Sequence, residues 1–290
     1  MRLRTLPLSE SGVLLGMFIA LQKGQVGFRT ILFLILTTAL LQILSNLSNE
    51  LGDTLSGADN ADRQGIHYSL QDGDMTIPEM KFLIAAVVGL CCISGLAMII
   101  AAFGFRISWE AVILVVLGAC AIWAAMHYTL GKNPYGYRGL GDVFVFIFFG
   151  LVSVCGGYYV CSADLSNYMV LLPAAGIGCF SIAVLNVNNI RDMKTDKETR
   201  TTVALKMGGK GARIYQTVLI SLGWLFLVAF TALNSPKWFS WLFLVTIPLF
   251  VKHLAGVWKR EDRALDPMLP LLVMSTFVTV LIMGIGIILL

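Results

Sequence analysis

Apolar runs about twenty residues long alternate with short polar stretches from one end of this chain to the other. A bilayer core takes about 20 apolar residues per helical crossing, and a helix satisfies its own backbone there. The pattern predicts nine spans, at about 8–22, 29–48, 81–103, 108–130, 142–160, 167–187, 214–233, 238–257 and 269–289. A transmembrane barrel would alternate polar and apolar positions, and these runs do not. The expectation is therefore an all-α, polytopic membrane helical bundle of about nine transmembrane helices, forming a single domain over 1–290 around a central cavity open to the cytoplasmic side.

Two polar stretches interrupt this regularity, each directly after an apolar run. The first is Asn46-Leu47-Ser48-Asn49-Glu50-Leu51-Gly52-Asp53, and the second runs from Asn188 through Arg191, Asp192 and Asp196 to Arg200. Continued as a helix, the second places Asn188, Asp192 and Asp196 at i, i+4 and i+8 on one face. Asn49 and Asp53 stand in the same i, i+4 relation, with Glu50 beside them. Between 49 and 80 lies a long segment rich in aspartate and punctuated by Gly57, Gly65 and Gly73, which reads as a cytoplasmic cap over the site. Span four ends in Lys132-Asn133-Pro134-Tyr135-Gly136-Tyr137-Arg138, where proline and glycine break the helix.

Composition then excludes whole classes. With 57% hydrophobic and 13% charged residues the chain has too little polar surface for a soluble domain, and no nucleic-acid partner is expected. Met1-Arg2-Leu3-Arg4 before an apolar run looks superficially like a signal peptide, but no small-residue cleavage site follows, so it reads as the first span. Of the 21 lysines and arginines, all but Lys23, Arg29, Arg106 and Lys237 fall on the side of the N-terminus. Positively charged loops stay cytoplasmic, so the N-terminus is expected inside, the C-terminus outside and both polar stretches on the cytoplasmic face. The six cysteines lack any ligand spacing and read as core or lipid-phase residues. His127 and His253 read as interfacial hydrogen-bonding groups, and Phe144 to Phe149 as lipid-facing or core, with the wall of a tunnel as the alternative.

Carboxylates at helix ends often mark no more than the membrane boundary, and Glu110 and Asp164 are read that way. Two carboxamide-and-carboxylate faces on one side ask for more. Magnesium takes oxygen ligands and commonly binds one or two carboxylates together with phosphate oxygens. Asn49, Glu50 and Asp53, facing Asn188, Asp192 and Asp196, would hold Mg²⁺ twice and clamp a diphosphate between them. Lys132, Tyr135, Arg138, Arg191 and Lys197 are candidate diphosphate contacts, with Asn46, Asp59 and Tyr137 as further members of the site. A diphosphate so held is a good leaving group, and an allylic cation left behind needs a dry apolar pocket.

These residues resemble the UbiA superfamily of intramembrane aromatic prenyltransferases, and within it the 1,4-dihydroxy-2-naphthoate polyprenyltransferases of menaquinone synthesis. Asn46 to Asp53 followed by Gly57-Ala58-Asp59 is similar to the family's first aspartate-rich motif, and Asn188 to Asp196 to its second. Tyr135-Gly136-Tyr137-Arg138 matches the element between them. Glu50 stands where the family usually has Asp. The resemblance implies a nine-helix bundle of the bacterial inner membrane. It implies that Asp53, Asp192 and Asp196 are catalytic, with Mg²⁺ as cofactor and with polyprenyl diphosphate and dihydroxynaphthoate as substrates, joined with loss of the ring carboxylate. A 4-hydroxybenzoate or haem prenyltransferase and, from another class, a secondary transporter are the alternatives.

Overall fold

The computed structural model describes residues 3–57, 69–70, 72–106, 108–197, 199–234 and 237–289. Arg2 and Asp59, and with Asp59 most of the middle of the expected cap, lie outside the described residues.

The described chain is helical: α1 (Leu6–Leu21), α2 (Phe28–Leu55), α3 (Ile77–Phe103), α4 (Trp109–His127), α5 (Gly141–Ser162), α6 (Leu171–Arg191), α7 (Val203–Asn234), α8 (Ile247–Lys259) and α9 (Met268–Ile288). Eight helices of the described residues are long and apolar enough to cross a membrane and match the last eight expected spans in order, while at the first expected span stands α1, a shorter apolar helix. Short 3₁₀ segments precede α6 and α8. Large apolar side chains such as Phe82, Ile93, Trp109 and Val245 are exposed on the outside, as a lipid-facing surface requires.

Local signals explain the helix starts. At α3, Thr76 Oγ1 accepts from the Glu79 N–H while Glu79 Oε2 accepts from the Thr76 N–H at 2.8 Å, a reciprocal cap for two otherwise unpaired donors. Ser108 caps α4 through the Ala111 N–H. Helix α2 runs seven residues past the expected end of its span, because Ser48 to Leu55 keeps helical hydrogen bonding through the polar stretch. Its last two turns therefore carry the polar stretch as regular helix.

Between apolar helices in lipid, close approach rather than water exclusion decides packing. Gly12 and Gly16 of α1 meet α5, where an added Cβ at Gly16 would stand 2.6 Å from the Tyr158 nitrogen. Helix α6 is the most enclosed, set among α5, α7 and α9, whereas α4 lies at the periphery. Phe180, Phe243, Phe250, Leu272 and Met283 fill the core around α6. Inside α5, Phe146–Val152 winds as a π-helix, a rare form that shifts side-chain phase along a helix.

Candidate active site

A cavity of about 970 Å³ runs through the bundle, lined by α1 to α6 and the start of α9. One face of α2 supplies Leu34, Thr38, Gln42, Asn46, Asn49 and Asp53, the helical repeat read from the sequence. Its walls are mostly apolar, and Phe144, Phe148 and Phe149 belong to them. Of the positions the sequence allows them, lipid-facing, core or tunnel wall, the structure shows the last for these three. At one end the wall becomes polar: Asn49, Asp53, Asn188, Asp192, Asp196 and Arg200 meet there. The two acidic stretches, far apart in sequence, thus share one end of one cavity.

The second stretch does not continue as a single helix. Helix α6 ends at Arg191, Asp192 leaves helical geometry with ψ near 9°, and one further turn spans Met193–Asp196. The Asp196 N–H still donates to the Asp192 carbonyl at 2.9 Å, so the break is small and both carboxylates line the cavity.

The loop after α4 and the segment after Asp196 are pinned together by the Thr201 N–H donating to the Tyr137 carbonyl at 2.9 Å. That bond brings the Arg200 guanidinium over the Tyr137 ring, 4.8 Å from its centre. The Tyr137 hydroxyl donates to Asp53 Oδ1 at 2.8 Å and lies 2.9 Å from Ser56 Oγ. Arg200 Nη2 donates to the same Asp53 oxygen at 3.2 Å, while its Nε stands 3.2 Å from Asp196 Oδ1 at ion-pair distance without hydrogen-bond alignment. Arg200 therefore joins the first acidic stretch to the second. Burial opposes its charge, but Asp53 and Asp196 outweigh that and raise its pKa, so it is a permanent cation. Burial also pushes the Tyr137 phenol up to about 12, which keeps it a hydrogen-bond donor.

Arg191 grips Asp192 with two bonds of 2.7 Å and reaches Asp266 at 2.8 Å, tying the end of α6 to the loop before α9. Asn49 is held by Thr129, whose hydroxyl lies 3.2 Å from Asn49 Oδ1 and donates to the Ser48 carbonyl at 2.9 Å. Gly52 permits this, since a Cβ there would come within 2.5 Å of Thr129 Oγ1. Glu50 is turned off the cavity wall, buried, and accepts the Leu70 N–H at 3.2 Å. Asn46 lines the cavity beside Thr5 and Gln42. Tyr135 also lines it, and its hydroxyl donates to the Ala124 carbonyl at 2.7 Å. The side chains of Lys132, Arg138 and Lys197 are exposed and do not line it. His127 lines the wall stacked on Trp123, whereas His253 is completely buried and hydrogen-bonded to Gln216 and Met268, not interfacial.

Sequence reasoning singled out Arg138 and passed over Arg200, although an arginine four residues after Asp196 on a helical turn was a readable signal. Gln42, one turn before Asn46, is hidden from sequence reasoning because it lies within an apolar run.

The donor set fits a hard divalent cation. Asp53 and Asp196 are 1% and 5% exposed, Asn49 and Asn188 stand beside them, and all are oxygen donors. Arg191 and Arg200 are already engaged by these carboxylates, so a diphosphate entering here would need added positive charge. Among the described residues no three histidine, cysteine, aspartate or glutamate side chains form a ready-made ion site.

Comparison with known proteins places this architecture. The model of the UbiA prenyltransferase family matches residues 11–286. A 1,4-dihydroxy-2-naphthoate octaprenyltransferase of Escherichia coli (strain K12) is 37% identical over 289 residues, covering 99% of this chain and 93% of that protein. A protein of the same description from Haemophilus influenzae is 34% identical over 98% of this chain and 93% of its own length. Among solved structures, an apo UbiA homologue from Aeropyrum pernix K1 superposes with a TM-score of 0.72 at 16% identity, covering 100% of this chain and 98% of that one. A homologue from Archaeoglobus fulgidus bound to GPP and Mg²⁺ superposes with a TM-score of 0.64 at 13% identity, over 99% of both chains. With its apolar helices and the family match spanning nearly its whole length, this chain is an integral membrane protein of the UbiA prenyltransferase family.

Proposed function

We infer that the protein transfers a polyprenyl group from polyprenyl diphosphate to 1,4-dihydroxy-2-naphthoate, with decarboxylation of the ring, giving demethylmenaquinone. The observation that carries this reading is the meeting of Asp53 with Asp192 and Asp196 at the polar end of a long apolar cavity. The volume is at the upper end of the roughly 300–1,000 Å³ usual for ligand pockets. Leu96, Val115 and Trp123 line it yet are about half exposed, so a longer tail leaves between α3 and α4 into the bilayer. The names of the relatives support the acceptor, and the Mg²⁺ and prenyl diphosphates in homologous structures support the cofactor.

Asp53, Asp192 and Asp196, with Asn49 and Asn188, would hold Mg²⁺, which supplies charge neutralisation of the diphosphate as it leaves. Arg200 and Arg191 orient the carboxylates and add cationic charge to the same wall. The aromatic wall of Tyr135, Phe144 and Phe148 excludes water from the allylic cation and stabilises it through ring faces. The distribution of lysine and arginine supports a bacterial inner-membrane protein with its N-terminus and active site at the cytoplasmic face and its C-terminus outside. Incubation of purified protein with dihydroxynaphthoate, a polyprenyl diphosphate and Mg²⁺, with EDTA as control, tests the reading. The product should have the mass of the decarboxylated prenyl adduct. Product from 4-hydroxybenzoate alone would overturn the acceptor, and solute movement without diphosphate release would overturn the reaction class.

A further inference from the structure

Outside the cavity, on the lipid-facing surface, the ends of α7 and α8 are joined by two side chains. Arg213 of α7 donates from Nε to the Val257 carbonyl and from Nη2 to the Arg260 carbonyl, each at 3.0 Å, so α7 caps the last turn of α8. Trp258 Nε1 donates to Thr217 Oγ1 at 3.1 Å, a second bond across the same seam that leaves its ring half-exposed. Lys210 stands seven residues before Thr217, on the same face of α7 and about 10 Å nearer the end of the bundle. Lys259 follows Trp258 directly. Lys252 lies seven residues before Lys259 on the same face of α8, about 10 Å further into the apolar layer. All three lysine side chains are exposed.

We propose that this groove between α7 and α8 holds the headgroup of an anionic phospholipid, with Lys210, Lys252 and Lys259 around its phosphate. The carboxylates of this end are engaged elsewhere: Asp262 by Lys194 at 2.6 Å, Asp266 by Arg191 at 2.8 Å, and Glu261 towards Arg213 at 3.8 Å. Among the described residues none of the three lysines is in an ion pair. Lysines at helix ends, where water reaches them, need no partner. Lys252 is different, because it sits within the spanning helix and faces lipid, where an ammonium is costly unless its stem carries it up to an anion. A phosphodiester at the level of Lys210 and Lys259 supplies that anion. Below it Ile214, Val218 and Val251 are exposed apolar side chains, which acyl chains cover. A soluble phosphate has no use for that lower surface, so the groove is fitted to a lipid. A zwitterionic headgroup brings its own cation, so three lysines favour a lipid of net negative charge.

Native mass spectrometry of the full-length protein in an uncharged detergent, titrated with dioleoylphosphatidylglycerol or dioleoylphosphatidylcholine, tests the site. The wild type should retain one phosphatidylglycerol and bind phosphatidylcholine at least tenfold more weakly. Lys210→Gln, Lys252→Gln and Lys259→Gln should each weaken phosphatidylglycerol about fivefold, the weight of one basic side chain at an anionic surface. Lys81→Gln removes the same charge from α3 and should leave binding within twofold. An equal loss in Lys81→Gln would reduce the effect to general surface charge and overturn the site. So would wild-type affinity in all three groove variants, no preference for phosphatidylglycerol, or displacement of the lipid by an equal concentration of glycerol 3-phosphate. If Lys252→Gln lowers the thermal midpoint of the lipid-free protein, Lys210→Gln and Lys259→Gln decide. No substrate is present in this measurement, so its outcome is independent of the proposed function.

Discussion

Arg200 reaches back across 147 positions to Asp53, its Nη2 3.2 Å from the carboxylate Oδ1, while Asp196 stands at the same distance from its Nε. One guanidinium thus holds the two acidic stretches together. Removing it leaves two nearly buried carboxylates facing each other, and breaking a buried pair typically costs about 3–5 kcal/mol. Arg200→Ala should lower the thermal midpoint of the metal-free protein in detergent, with partial recovery on adding Mg²⁺, which replaces the lost charge. An unchanged midpoint, or a loss that Mg²⁺ does not restore, would show that Arg200 is not the bridge.

Tyr137 donates to Asp53 from a loop anchored to Thr201. Tyr137→Phe removes one hydrogen bond to a charged acceptor, roughly 1.5–3 kcal/mol, and should lower kcat/KM for prenyl diphosphate about tenfold or more. Because the phenol is pushed up to about 12, it remains protonated well above neutral pH. The pH–rate profiles of wild type and Tyr137→Phe should therefore keep the same shape between about pH 6 and 9. A limb present only in the wild type would make Tyr137 a titrating group.

Gly52 carries a packing constraint that bears on the site. A methyl group there meets Thr129 Oγ1 at 2.5 Å and the Thr129 carbonyl at 2.7 Å, so α2 must move away from the residue that holds Asn49. Gly52→Ala should destabilise by about 1–3 kcal/mol and weaken prenyl diphosphate binding. Gly24→Ala, with nothing within 4 Å, is the control and should leave binding unchanged. Equal effects in thermal unfolding and binding would dissociate Gly52 from the site.

Exposed cations should matter less than the enclosed one. Arg138→Ala is expected to raise the KM for prenyl diphosphate by a smaller factor than Arg200→Ala, since Arg138 lies off the cavity wall. The opposite ranking in steady-state kinetics would bring Arg138 into contact with the diphosphate during turnover.

Hydrophobic periodicity made the helices legible, because lipid imposes a fixed length on each crossing. The faces of α2 and α6 were legible too: the i, i+4 spacing of Asn49 with Asp53 and of Asn188 with Asp192 places each pair on one side of its helix. What spacing does not contain is how far a helix persists or bends. The extension of α2 to Leu55, the break at Asp192 and the π-helix over Phe146–Val152 are not contained in that spacing. The contacts of Glu50 with Leu70 and of Arg200 with Asp53 join residues with no local relation, so the ligand-like pattern at Glu50 was read as cavity-facing and Arg200 was missed.

On the proposed function, the site is divided between the two acidic stretches and works only when both hold the diphosphate. Turnover of Asp53→Asn and of Asp192→Asn, each measured at saturating Mg²⁺ with dihydroxynaphthoate and a polyprenyl diphosphate, tests it most directly. Each substitution removes one carboxylate charge from one side, and each alone should abolish most product formation while the protein stays folded in the membrane. Near-normal turnover in both variants would contradict a site built from the two acidic stretches together.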